Sequence, residues 1–160
     1  MRRTDYAEKV TAMTQSLYYL TCTLLSIPQD REDALQNCIV KGLTRCETLR
    51  DESKLRPWIT RILINECYTL LRQKKRIVLA AEVPTPSPEN IDPGLRDAVM
   101  TLPDKQRIPF TLNLEGYTAK EIAQALRLPE GTVKTRIRDA KLALRKALQD
   151  PFEPEKEVLA

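Results

Sequence analysis

An all-α fold of two small helical domains joined by a Pro-rich linker is the architecture this sequence predicts, and three observations predict it. Apolar residues return every three or four positions through most of the 160 residues, the period of an amphipathic helix. That period stops over residues 80–93, where Pro84, Pro86, Pro88 and Pro93 predict a stiff extended segment. It resumes beyond the prolines and ends in two short helical patterns joined by a tight turn. The expected division is therefore residues 1–79, linker 80–93, second domain 94–149 and a fraying tail 150–160, a length that suits two small domains.

The first helix is predicted over residues 4–26, with Tyr6, Val10, Met13, Leu17, Leu20 and Leu24 on one face and Pro28 closing it. A second follows, capped by Asp30, with Glu32 and Asp33 near its positive end and a core stripe of Leu35, Cys38, Ile39 and Leu43. Its other face carries Asp33, Gln36 and Asn37. After the polar residues 47–53 comes the longest pattern, residues 55–76, with Ser53 as cap and Pro57 tolerated in its first turn. Trp58, Ile59, Ile62, Leu63, Cys67, Leu70 and Leu71 make its apolar face, with Trp58 a core anchor. Arg61, Asn65, Thr69 and Arg72 share a polar face that ends in the run RQKKR.

In the second domain, Pro103 is expected to open a helix running to Leu114, bent at Pro109. Gly116 suits a left-handed helix end, and Thr118 with Glu121 forms a capping box for the next helix, whose short apolar face is Ile122, Ala125 and Leu126. The sequence RLPEG breaks the chain, and a last helix begins at Pro129. Val133, Ile137, Ala140, Leu144 and Leu148 give it a packing face, and Lys134, Arg138, Lys141 and Arg145 give it a cationic one. A capped short helix, a turn and a second helix with cations in its first turns form the outline of a helix-turn-helix DNA reader.

Charge and composition narrow the function. The net charge is +4, and the cations gather in residues 54–76 and in the last helix, which predicts two contacts with nucleic acid. The chain has no histidine and only four glycines. It lacks the commonest general base and metal ligand, and it shows no phosphate loop or nucleophile motif, so no enzyme, metal or cofactor is expected. Cys22, Cys38, Cys46 and Cys67 fall within apolar patterns without CxxC spacing and read as buried small hydrophobes. No apolar run approaches membrane-spanning length, and MRRTDYAEK is not followed by a signal-peptide core, so a cytoplasmic protein is expected.

Three segments carry a family resemblance: DREDALQNCIVKGL, LRPWITRILINECYTLLRQKKR, and LPDKQRIPFTLNLEGYTAKEIAQALRLPEGTVKTRIRDAKLALRKAL. In that order, with a Pro-rich linker between the last two, the chain resembles the extracytoplasmic-function (group IV) sigma factors of bacterial RNA polymerase. The resemblance implies a region-two helical bundle and a region-four helix-turn-helix domain. It implies that Asp33, Gln36 and Asn37 face the core polymerase, with Asn37 standing where the family usually has glutamate. Arg61 and Asn65 match its RIxxN-type positions on the helix that meets the promoter element near the start site, where Arg72, Lys74, Lys75 and Arg76 add phosphate contacts. Residues 47–53 take the place of the loop that captures a flipped base. Lys134, Thr135, Arg136, Arg138 and Lys141 match positions facing the minus-thirty-five element, and Arg127 replaces the glycine common in the turn. The implied partners are core RNA polymerase, promoter DNA and an anti-sigma factor. A free-standing helix-turn-helix regulator is the alternative, and it would dimerise on palindromic sites.

Overall fold

The structure is a computed structural model that describes residues 1–76 and 93–149. The expected linker, apart from Pro93, and the tail from residue 150 lie outside the described residues. Every regular element among the described residues is helical: α1 (Arg3–Leu24), α2 (Pro28–Arg45), α3 (Leu55–Arg76), α4 (Pro93–Thr101), α5 (Asp104–Leu114), α6 (Ala119–Leu126) and α7 (Glu130–Leu148). Two 3-10 turns, Cys46–Thr48 and Glu52–Lys54, join α2 to α3.

Several boundaries move for local reasons. Pro28 starts α2 rather than ending α1, because a proline at the first helical position gives up only an amide that would have no intrahelical partner. Ile27 is the N-cap and offers no side-chain cap, so Asp30 sits within the first turn of the helix, not at its cap. The cap ahead of α3 is Asp51, whose carboxylate accepts from the Ser53 amide at 3.0 Å and from the Ser53 hydroxyl at 2.6 Å; Ser53 is the capped residue. Pro93 belongs to α4, not to the linker. Pro103 and Pro129 are N-caps of α5 and α7, each one residue before the helix.

The buried stripe of α2 is also rotated. It is Arg31, Ala34, Cys38 and Gly42, while Leu35 and Ile39 are half-buried and Leu43 is exposed. Small residues let α2 lie close to its neighbours: a Cβ on Gly42 would run into the Tyr6 hydroxyl and Ile59. Arg31 is only 2% exposed, and it is tolerated because its Nε donates to the Leu25 carbonyl at 2.8 Å at the end of α1. Glu66, buried on α3, is paired with Lys41 of α2.

The two expected domains do not keep separate cores. One apolar cluster joins Tyr6, Val10, Leu17, Cys38, Ile59, Leu63 and Cys67 of the first half to Ile108, Leu112, Tyr117, Ile122, Val133 and Ile137 of the second. A smaller cluster, Ala98, Leu102, Phe110, Ala140 and Leu144, lies wholly within the second half. Each large aliphatic side chain buried in these clusters contributes about 1.5–3 kcal/mol. Trp58 is half-buried against the larger cluster, and Leu148 is exposed at the end of α7. The cysteines are all buried and free, and no group of residues suited to a metal ion occurs among the described residues.

Candidate nucleic-acid interface

The helix-turn-helix is built by local chemistry. Gly116 takes φ +86°, the left-handed region that glycine enters without a Cβ penalty. Thr118 Oγ1 accepts from the Glu121 amide at 3.1 Å, and Glu121 Oε2 accepts from the Thr118 amide at 3.0 Å, completing the capping box. Ile122 and Ala125 bury one face of α6. Arg127 ends α6 at φ 55°, ψ 47°, so the turn keeps its left-handed shape with an arginine in place of the usual glycine. The Leu128 amide then closes onto the Ala123 carbonyl at 3.0 Å.

On α7, Val133, Ile137, Ala140 and Leu144 are buried. Lys134, Thr135, Arg138 and Lys141 are exposed on the outward side. Two of these cations have weak local pairings, Lys134 with Glu130 at 3.6 Å and Arg138 with Asp139 at 3.8 Å, which a phosphate or guanine edge can displace because exposed ion pairs contribute little. Arg136 differs. It is half-buried and turns toward α3, lining a cavity of about 370 Å³ with Arg61, Asn65, Lys105 and Arg127.

The first half presents two faces. Gln36 and Asn37 are exposed on α2, and Asp33 beside them is half-buried and accepts from Gln29 Nε2 at 3.2 Å. On α3, Asn65 and Arg72 are exposed, and Arg72 donates to Thr69 Oγ1 at 3.3 Å. Lys74, Lys75 and Arg76 occupy the last turn of α3. Arg61 is not on open surface: its Nε donates to the Ala125 carbonyl at 3.2 Å, and its Nη2 donates to the Gln124 carbonyl. Burial, with Arg127 nearby, lowers its pKa from the ordinary arginine value. The expected polar row is thus split, with Asn65 and Arg72 in solvent and Arg61 under α6.

Around Arg61 lie residues the sequence did not single out. Arg56 donates to the Glu115 carbonyl at 2.7 Å and the Gly116 carbonyl at 3.4 Å, with its guanidinium 3.8 Å from the centre of the Tyr117 ring. Thr60 donates to the Arg56 carbonyl at 2.8 Å, so across their 2.8 Å contact the Tyr117 hydroxyl is the donor and Thr60 the acceptor. These pairs are 57 to 60 positions apart in the chain, and no periodic signal within either segment announces them.

The chain matches the family description "Sigma-70 region 2" over residues 10–77 and "Sigma-70, region 4" over residues 94–144. It is 25% identical to the "ECF RNA polymerase sigma factor SigW" of Bacillus subtilis, with 91% of this chain and 89% of that protein covered. The chain belongs to the sigma-70 family as an extracytoplasmic-function sigma factor. This sigma factor is also 28% identical to the "ECF RNA polymerase sigma factor SigM" of Mycobacterium tuberculosis over 75% of this chain and 65% of that one. Its fold is shared by a sigma factor RpoE solved with the anti-sigma factor NepR from Bartonella quintana, with TM-score 0.78, 22% identity, and 90% and 96% of the two chains covered. Region 2 accounts for the first half of the sigma factor, the part a free-standing regulator would use to dimerise. No helix among the described residues is long and apolar enough to cross a membrane.

Proposed function

We propose that this sigma factor docks on core RNA polymerase through the α2 face of Asp33, Gln36 and Asn37 and places two DNA-contacting helices on one promoter. The cationic end of α3, Arg72 to Arg76, with Asn65 and Arg61, serves the element near the start site. Residues 47–53, held by the Asp51 cap, serve a flipped base. Lys134, Thr135, Arg138 and Lys141 on α7 read the minus-thirty-five element, with Arg136 at the edge of that surface. The observation that carries this reading is the outward cationic face of α7, set on a capped helix-turn-helix whose α7 packing face is buried from Val133 to Leu144.

The protein performs no covalent chemistry and acts in the cytoplasm, where its polymerase partner is. The solved relatives are described as bound to the anti-sigma factor NepR and to the cytosolic domain of CnrY, and an anti-sigma factor is the inhibitory partner proposed for this chain. Run-off transcription with Lys134→Ala and Arg138→Ala together tests the α7 assignment. Each good bidentate base contact is worth roughly 1–3 kcal/mol, so selectivity for the cognate promoter should fall at least about tenfold with core binding intact. Unchanged selectivity would remove α7 from promoter reading.

A further inference from the structure

We propose that the cationic cavity walled by α3, α5 and the α6–α7 turn is a binding site for a small diphosphate anion, free or carried by a nucleoside. Its lining leaves out Lys134, Thr135, Arg138 and Lys141, so it is a place separate from the reading face of α7.

The cavity, of about 370 Å³, has the size of a small-molecule pocket. Arg61 of α3, Lys105 of α5, Arg127 of the turn and Arg136 of α7 converge on it, and the one carboxylate in its wall, Asp104, is paired with Arg107. Lys105, Arg127 and Arg136 have no side-chain hydrogen bond or ion pair among the described residues. Arg61 is held by the Ala125 and Gln124 carbonyls, which take two of its five N–H donors and leave three for another acceptor. Burial and then the Arg127 charge lower its pKa, which places the two guanidiniums within reach of one another. Other cations have carboxylates at hand, as Lys9 has Glu52, Lys134 has Glu130 and Arg138 has Asp139. Like charges gathered in a concave site without a counter-ion raise its potential and select an anion.

The side chains narrow the class of anion. Guanidinium forks pair with phosphate oxygens two at a time, and three guanidiniums with one ammonium suit a multiply charged phosphate better than a single carboxylate. Beyond the cations the wall is apolar, from Ile64, Ile108 and Leu126, with half-buried Tyr68 among them, a surface for a flat ring. Arg127 is a second indication. It holds φ 55°, where glycine would be unstrained, and strain of this kind gathers at functional sites. What the strained residue supplies, and glycine would not, is a cation at the cavity.

Isothermal titration of the full-length protein with ADP, inorganic pyrophosphate and adenosine, at physiological salt and without divalent cations, reads the site. ADP and pyrophosphate are expected to bind saturably, one per chain, and adenosine not to bind. Tighter binding of ADP than of pyrophosphate assigns the apolar wall to a nucleoside, and equal binding assigns the site to free diphosphate. Lys105→Ala and Arg127→Gly, both at exposed residues, are each expected to weaken binding about tenfold. Lys134→Ala/Arg138→Ala should bind as wild type does. Arg127→Gly relaxes the turn and should melt no lower than wild type, so its lost binding does not come from lost folding. No saturable binding of either anion, or binding unchanged in both cavity variants, would overturn the site. So would binding lost in Lys134→Ala/Arg138→Ala and kept in the cavity variants, which moves the anion to α7. A single-stranded oligonucleotide that binds weaker to the cavity variants, while neither diphosphate binds at all, would make the cavity a DNA contact and overturn it as well.

Discussion

Cys38 and Cys67 face each other in the core between α2 and α3, and burial pushes each thiol up from 9.0 to about 12. The folded chain therefore keeps protons that the unfolded chain releases above the ordinary thiol value. Their contribution to stability is intact below pH 9 and is lost as the pH rises toward 12. Denaturant midpoints should fall across that window, and Cys38→Ala/Cys67→Ala should flatten part of the fall. At pH 8 a thiol reagent should label these residues only as fast as the protein unfolds. Gly42 is the second residue on which the packing turns. Gly42→Ala puts a Cβ against Tyr6 and Ile59, a crowding that costs about 1–3 kcal/mol, measurable as a lower denaturant midpoint. An unchanged midpoint would mean that α2 can move away without loss.

Among the elements, the turn between α6 and α7 holds a non-glycine residue in the left-handed region, Arg127 at φ 55°. That conformation costs an L-residue roughly 1–2 kcal/mol, so Arg127→Gly should raise the melting temperature, with the loss of a cation near Arg61 acting in the same direction. Thr118→Ala removes the reciprocal cap of α6 and should cost about 1 kcal/mol, seen as faster amide exchange in that helix before the rest of the protein. The capping box was legible because a cap is short-range chemistry: Thr118 and Glu121 are one turn apart and need no partner elsewhere. The packing face of α7 was legible through Ala140 and Leu144 for the same reason, since helical spacing alone selects it. The stripe of α2 was misplaced because size, not hydropathy, decided it. Ala34 and Gly42 face inward, Gly42 where α2 meets Tyr6 and Ile59, and they leave the larger Leu35 and Ile39 at the margin.

At the scale of the whole molecule, the least legible feature was the meeting of the two halves. A linker of prolines reads as separation, and nothing in the spacing of α3 distinguishes Arg61, which donates to α6, from Arg72, which stays near solvent. The candidate α7 surface survived folding nearly whole, with only Arg136 drawn inward, because it belongs to one helix. On the α3 surface Asn65 and Arg72 stay exposed, and Arg61 is drawn inward by carbonyls 63 and 64 positions away. Two modest DNA surfaces on one chain gain most when a third body fixes their separation, so the isolated protein should bind duplex promoters poorly at physiological salt and core polymerase should supply the missing affinity. Run-off transcription on a genomic promoter library with start-site mapping, comparing core polymerase with and without this sigma factor, tests that claim most directly. New start sites that share two spaced upstream elements, and that are lost with Asp33→Ala/Gln36→Ala, are the predicted result. A folded protein that leaves the transcripts of a matched core enzyme unchanged, or one that binds the same promoters tightly without polymerase, would contradict it.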